Sequence, residues 1–260
     1  FFHIKNYIVF KETSLSSWFG MNLIKMTFTI PQSTLQSVVE SDEVSEIALI
    51  KPFRGPEVYR EYTHCDTITG IPALDKKYKS TGAINFNYIG YIPISRMYYT
   101  AAIFLIKKFP WYYGLSIIKA FYTYLQPCSS FQKSPNTEKL KVWIHIYEYY
   151  ILGNFLEKVW STTYTNRFNQ QRTIHVNFLF IFIPVIYVWG TVLAIRGNKL
   201  FGLTENQALL IKYMMFNIFY TMFIGNLIET GENMRFRFLI IPFIYILVAL
   251  FIKHVISRKT

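Results

Sequence analysis

Glu229-Thr-Gly-Glu232-Asn-Met-Arg235-Phe-Arg237-Phe-Leu-Ile-Ile-Pro242 runs straight into the apolar stretch from Phe243 to Ile252. A short loop carrying both signs of charge thus turns directly into a segment suited to lipid, and two arginines stand at the water–lipid boundary. Arginine presents a planar fork that matches phosphate oxygens, so this junction is a candidate for recognising a phosphate carried on a lipid. Glu232 belongs to the same element. Arg235 and Arg237 are two apart, so on a helix they point in different directions and only one faces a given pocket. The plain alternative is a pair of snorkelling anchors.

Two more segments share the apolar character. Val176 to Ile195 is a run of twenty residues without a charge. At about 1.5 Å per residue it is long enough for a hydrocarbon core of about 30 Å. Ala208 to Ile228 carries one lysine, Lys212, near enough to an end to snorkel. Transmembrane helices are therefore expected at about 176–195, 208–228 and 236–255. Arg196 and Lys199 follow the first, and Lys253, Arg258 and Lys259 follow the third. By the positive-inside rule these flanks are cytoplasmic. The loop from Glu229 to Arg235 and the region 1–175 are then outside, in a multi-pass protein of a plasma or inner membrane.

Composition agrees. Hydrophobic residues make up 52% and aromatic residues 19%, against 16% charged. The net charge of +12 comes from lysines and arginines scattered among apolar runs rather than gathered in a basic arm, so anionic lipid is the natural partner and nucleic acid is not. Cys65 and Cys128 lie far apart with no CxxC, leaving one disulfide or two free thiols open. The chain opens on Phe1 with no charged leader, and is expected to be the downstream part of something longer.

Along residues 1–175 the signals are those of loops, short helices and short strands. Trp18 and Phe19 follow a Ser-rich turn as interface anchors, and Glu40, Asp42, Glu43 and Glu46 mark a solvated stretch. Gly82-Ala-Ile-Asn85-Phe-Asn87 interleaves amides and aromatics, a mixture found where loops meet sugars; turn chemistry with packed rings beneath explains it equally. Asn85, Asn87 and Trp18 are the candidate acceptor or sugar contacts. Helices are expected at Ser95 to Lys108 and Trp111 to Leu125, broken at Phe109-Pro110. Lys107, Lys108, Trp111, Tyr112 and Tyr113 at that break fit a pair lying on a membrane surface near 95–125; a buried hairpin is the other reading. Lys139 to Trp160 is helical in pattern, with Val142, Ile146, Tyr149, Tyr150 and Leu156 near one side.

No phosphate-cradling glycine loop, HExxH or nucleophile signature is present. His3, His64, His145, His175 and His254 are dispersed without ligand spacing. A divalent metal stays open without support, and no other cofactor is indicated. Glu57, Glu61, Asp66 and Asp75 are the carboxylates available as a general base, although surface carboxylates are commonly just solvated.

The element Glu232-Asn-Met-Arg235-Phe-Arg237-Phe, entering an apolar span with Pro242, resembles the start of the last membrane helix in polytopic GT-C-type glycosyltransferases. These enzymes use polyprenyl-phosphate-linked sugars and include the protein mannosyltransferases and bacterial lipopolysaccharide-modifying enzymes. Ser16-Ser-Trp18-Phe-Gly20-Met-Asn22, Gly82-Ala-Ile-Asn85-Phe-Asn87 and Phe109-Pro110-Trp111-Tyr112-Tyr113 are also similar to extracytoplasmic pieces of this group. The resemblance implies sugar transfer from a lipid-phosphate donor to an acceptor outside the cytoplasm, with Arg235, Arg237 and Glu232 at the donor phosphate. Its catalytic carboxylate, normally in a first outer loop, is then expected upstream of Phe1. The fold expected is a mainly α membrane protein in which a mixed α/β or irregular outer region, 1–175, precedes three C-terminal transmembrane helices, 176–260. The other function class is a non-catalytic multipass protein whose outer region contacts lipid, protein or other membrane subunits.

Overall fold

The structure, a computed structural model, describes residue 4 and residues 6–8, 16–63, 68–127, 137–158 and 160–257. His3, His64, Cys65, Asp66, Cys128, Arg258 and Lys259 lie outside the described residues. The chain is mostly helical with one two-stranded sheet, and it divides into two compact units. One comprises Phe1–Ile117 with Thr165–Gln170, the other Ile118–Tyr164 with Gln171–Thr260.

The first unit contains α1 (Phe19–Leu23, prolonged by a 3-10 turn Ile24–Thr27), α2 (Gln32–Glu40), α3 (Pro72–Asp75), α4 (Tyr91–Lys108) and the start of α5 (Pro110–Tyr124). Ile94, Tyr98, Ala101, Ala102 and Leu105 make one buried stripe along α4, at the i, i+4, i+7 spacing that a helix needs to bury one face. They share a core with Met21, Ile24, Met26, Leu35 and Ile47. Between the two hairpin readings, α4 is thus the buried one along this stripe, while Trp111 at the start of α5 is 73% exposed. Helix α4 stops at Phe109, whose N–H still reaches Leu105 O at 2.8 Å, and Pro110 begins α5 where a missing N–H costs little.

The approach of α1 to α4 is set by Gly20. Its N–H donates to Ser95 Oγ at 3.1 Å, and a Cβ there would stand 1.8 Å from the Ser95 carbonyl oxygen. Three tyrosines on the other side of the core hold a loop by its backbone. Tyr98 donates to Ile50 O (3.1 Å), Tyr91 to Arg54 O (2.7 Å) and Tyr59 to Lys51 O (3.3 Å). Each ring is buried, so each hydroxyl needs such an acceptor. Burial raises the pKa of all three phenols, which stay neutral donors.

The turn at 165–170 also belongs to this unit. Asn166 Oδ1 accepts the N–H groups of Phe168 and Gln170, which fixes the turn and projects Arg167. The Arg167 guanidinium packs beside the edge-on pair of Phe28 and Phe168, 5.0 and 5.2 Å from their ring centroids. It donates to Thr27 O (3.0 Å) and Ala48 O (2.9 Å). The residue as a whole is half-buried; its guanidinium end is enclosed, and burial lowers its pKa to about 10.

The second unit contains α6 (Thr137–Ile146), continued by a π-turn Tyr147–Ile151 and a 3-10 turn Asn154–Lys158, then β1 (Ser161–Thr165), whose last residue falls in the first unit, and β2 (Gln171–His175). Three long helices follow: α7 (Leu179–Phe201), α8 (Glu205–Ile228) and α9 (Phe236–Ser257). Each is long and apolar enough to cross a membrane. Helix α7 starts after β2, with Asn177 Oδ1 accepting the Leu179 N–H at 2.9 Å. Thr204 and Gln207 form a reciprocal capping box on α8, satisfying two of the donors that open a helix. At Gly190 side chains of the other two helices press against α7, since a Cβ there would meet Met215 Sδ at 2.4 Å and Leu247 Cδ1 at 3.0 Å. Their outer faces stay uncovered: only 17% of the apolar window of α9 is buried, and Phe238 and Leu239 are 74% and 70% exposed. Such a surface suits hydrocarbon, not water.

Gly20→Ala is expected to destabilise the first unit by about 3 kcal/mol, because backbone and not a yielding side chain stands in the way. Gly114→Ala, in the middle of α5 with open space around the new methyl, is expected to stabilise by about 0.5–1 kcal/mol. Thermal unfolding of both variants in detergent checks the pair.

Candidate functional site

The loop between α8 and α9 is organised by Asn233, which is fully buried. The last turn of a helix leaves carbonyls without partners. Asn233 Nδ2 reaches Glu229 O (2.8 Å) and Asn226 Oδ1 (2.9 Å), while its own Oδ1 accepts the Gly231 N–H (2.8 Å). Asn226, also fully buried, donates back to Met222 O at 2.7 Å. One amide thus folds the loop over the end of α8 and starts the 3-10 turn Asn233–Arg235 that leads into α9.

That turn sends the two arginines apart. Arg235 emerges half-exposed and forms ion pairs with Glu229 Oε2 (2.8 Å) and Glu232 Oε2 (2.9 Å), its guanidinium 5.4 Å from the Phe236 ring centroid. Glu229 is nearly buried at 6% side-chain exposure, whereas Glu232 is 30% exposed. Arg237 turns inward, is 5% exposed, donates to the Gln126 carbonyl and lies 5.6 Å from the Tyr124 ring centroid. Gln126 in turn pairs with both backbone groups of His175, Nε2 to O at 2.9 Å and Oε1 from N at 3.4 Å. Arg172, exposed on β2, donates to Gly231 O. Three guanidiniums and two carboxylates therefore gather around one loop. Gln126, Arg172 and Tyr124 were not singled out from the sequence, since each reaches the loop only through the fold; Glu229 stands in the quoted stretch, but its pairing with Arg235 shows only in the structure.

Beside the junction, α5, α7 and α8 border an open-sided apolar cavity of about 400 Å³. Phe121, Tyr124, Leu125, Ile183, Tyr187, Val188, Phe219 and Met222 line it, with Thr191. The hydroxyls of Tyr124 and Tyr187 bond to each other at 2.5 Å, and Thr191 Oγ1 donates to Tyr187 O at 2.8 Å, so these polar atoms are satisfied. The cavity falls in the range of about 300–1,000 Å³ usual for ligand sites. Its walls fit a hydrocarbon chain and offer no fit for a sugar. Tyr124 joins the two features, one wall of the cavity lying under the Arg237 guanidinium.

The other candidates lie in the first unit. Asn85 is buried, donates to Ala73 O (2.9 Å) and Lys76 O (2.7 Å) and accepts from Asn87 N (3.2 Å), so its amide is spent on the turn. Trp18 donates Nε1 to Phe86 O (2.8 Å) and packs edge-on against Phe53 and Phe86. Asn87 is exposed. Among the carboxylates, Glu57 accepts the Tyr78 hydroxyl at 2.5 Å, which holds its pKa below the ordinary value. Asp75 accepts Thr69 N–H (2.9 Å), Thr69 Oγ1 (2.7 Å) and Gly70 N–H (3.0 Å), bonds that lower its pKa too. A general base working near neutral pH is tuned the other way. Among the described residues, no group of three metal-ligating side chains assembles.

Asn233→Ala is expected to cost about 2–4 kcal/mol, since it strands buried acceptors at the end of α8; Asn226→Ala, which removes one of those acceptors, should cost less in the Asn233→Ala background than alone. A thermal double-mutant cycle measures both. Asp75 has a lowered folded pKa, so its contribution is full above the ordinary carboxylate value of about 3.9 and is lost as pH falls through the folded value. Protection factors of the Thr69 and Gly70 amides, with the intrinsic pH dependence of exchange divided out, should fall on that descent in the wild type and be low at every pH in Asp75→Asn.

Comparison with protein-family profiles, characterised proteins and solved structures gives no match to this chain.

Proposed function

We propose that the chain crosses a membrane with α7, α8 and α9 and binds the hydrocarbon chain of a lipid-linked substrate in the cavity beside the arginine junction. The observation that carries this reading is the adjacency of an apolar cavity, built by helices fit for lipid, to a charged loop through the single residue Tyr124. A lipid phosphate has the matching form, an apolar tail with an anion at its end. The resemblance of Glu232 to Phe238 to GT-C-type enzymes makes a polyprenyl-phosphate-linked sugar the substrate and sugar transfer the reaction, on the outer face of a plasma or inner membrane. Arg196, Lys199 and Lys253 on the opposite flanks support that sidedness.

The arginines have unequal parts in this reading. Arg237 is committed to Gln126 and Tyr124, so it shapes the wall and supplies field rather than direct contact. Arg235 is the group that meets solvent, and Glu229 and Glu232 hold it. A phosphate would compete with Glu232, the more exposed of the two. Saturation of Arg235 by protein carboxylates is what favours the second reading, a non-catalytic multipass protein in which the junction is only a structural tie.

Binding of undecaprenyl phosphate to the detergent-solubilised protein separates them. Thr191→Trp, which fills the cavity, should abolish binding, and Arg235→Ala should weaken it about ten-fold while binding of a neutral polyprenol is unchanged. Absence of binding by folded wild-type protein would leave the second reading in place.

A further inference from the structure

Helix α6 and its π-turn present an apolar face that, among the described residues, no other element covers. Trp143, Ile146, Tyr147 and Tyr150 follow the i, i+3, i+4, i+7 spacing of one helix face and are 70%, 40%, 47% and 69% exposed. Val142 and Ile151 widen the face, being 68% and 63% exposed. Ile144, Glu148 and Tyr149 lie away from this face and are the half-buried residues of α6 and its π-turn, with His145 and Lys141 exposed beside them. Among the described residues, α6 packs chiefly on its own continuation.

What covers this face follows from where the segment is tied. The Phe178 N–H donates to Leu152 O at 2.7 Å, and Phe178 is the residue that opens α7. The Phe178 ring packs edge-on against Phe155 at 5.8 Å, and Phe155 packs against Tyr149 at 5.9 Å. The segment is therefore pinned at the level where the first membrane-fit helix begins, which is the depth of the head groups once that helix is embedded. Trp and Tyr, with an apolar body and a polar tip, are the residues that this depth favours. Lys139 and Lys141 at the start of α6 place ammonium groups beside anionic head groups.

We infer that residues 139–151 form an in-plane membrane-surface helix, whose Trp143–Ile146–Tyr147–Tyr150 face inserts into the boundary between head groups and acyl chains on the side where α7 begins. The partner is the bilayer surface itself. The proposal rests on α7–α9 crossing the membrane and is independent of any sugar transfer.

The test uses the full chain in lipid nanodiscs, with Cys65→Ser and Cys128→Ser and one spin label at a time. Trp143→Cys, Tyr150→Cys and His145→Cys probe the segment, Tyr245→Cys in α9 is the deep reference and Lys79→Cys the aqueous one. Collision with oxygen against a water-soluble nickel complex reads depth. Labels at 143 and 150 are expected at one common depth, about 5–10 Å into the boundary, with 145 shallower. Three results overturn the proposal: labels at 143 and 150 as accessible to nickel as the label at 79; labels shielded from both reagents, which means that protein covers the face; and labels at 143 and 150 differing by about 10 Å, the length of the helix between them, which means that it stands upright. A label at 245 that fails to report hydrocarbon removes the crossing on which the proposal depends. A label at 245 in hydrocarbon with 143 and 150 in water removes the surface helix alone.

Discussion

The hydrogen bonds of Asn233 hold the end of the chain in its arrangement. A helix that ends inside a protein must find partners for its last carbonyls, and here one side-chain amide reaches the Gly225 and Glu229 carbonyls while accepting from the loop backbone. This closure reverses the chain within a few residues. It fixes the phase at which α9 begins, and with it the direction of each residue on that helix. Arg235 reaches Glu229 and Glu232 at the surface, and Arg237 reaches Gln126 inside, because the turn that precedes them is set by Asn233.

The charges at this loop are answered within the protein. A guanidinium taken out of water is costly unless its charge is answered. Arg235 has two carboxylates, and Arg237 has a carbonyl and the negative face of an aromatic ring. The cavity next to it obeys the opposite rule, for its hydroxyls bond one another and leave apolar atoms on the walls. Polar and apolar work are thus divided across a single tyrosine.

The sequence made the long helices legible because hydrocarbon demands twenty or so apolar residues in a row, and few other environments do. It also made the divergence of Arg235 and Arg237 legible, since a helix turns about 100° per residue. What each arginine meets was hidden: Gln126 lies 111 residues away from Arg237, and no local pattern announces it. Asn85 was legible as a turn former and only the fold shows that both ends of its amide are spent there. The exposed apolar face of α6 was half visible: of Val142, Ile146, Tyr149, Tyr150 and Leu156, placed near one side, Val142, Ile146 and Tyr150 are exposed, while Tyr149 and Leu156 are half-buried. That the face is exposed among the described residues, and that Trp143 and Tyr147 belong to it, depends on which neighbours the fold brings near, and period alone does not say.

The seat of Arg167 has a bearing on how the chain comes to be folded as it is made. The pocket formed by Phe28, Thr27 and Ala48 is complete early, but the residue that fills it belongs to a segment, Thr165–Gln170, separated from the rest of its unit by Ile118–Tyr164. At roughly 5–20 residues per second, several seconds pass on the ribosome between the two. During that interval Phe28 and the Thr27 and Ala48 carbonyls lack their guanidinium, and the unit waits in an unfinished state while the intervening segment is synthesised. The last stitch of the first unit is delivered by a stretch of chain that only β2 separates from the first long apolar helix, so the two are synthesised in close succession.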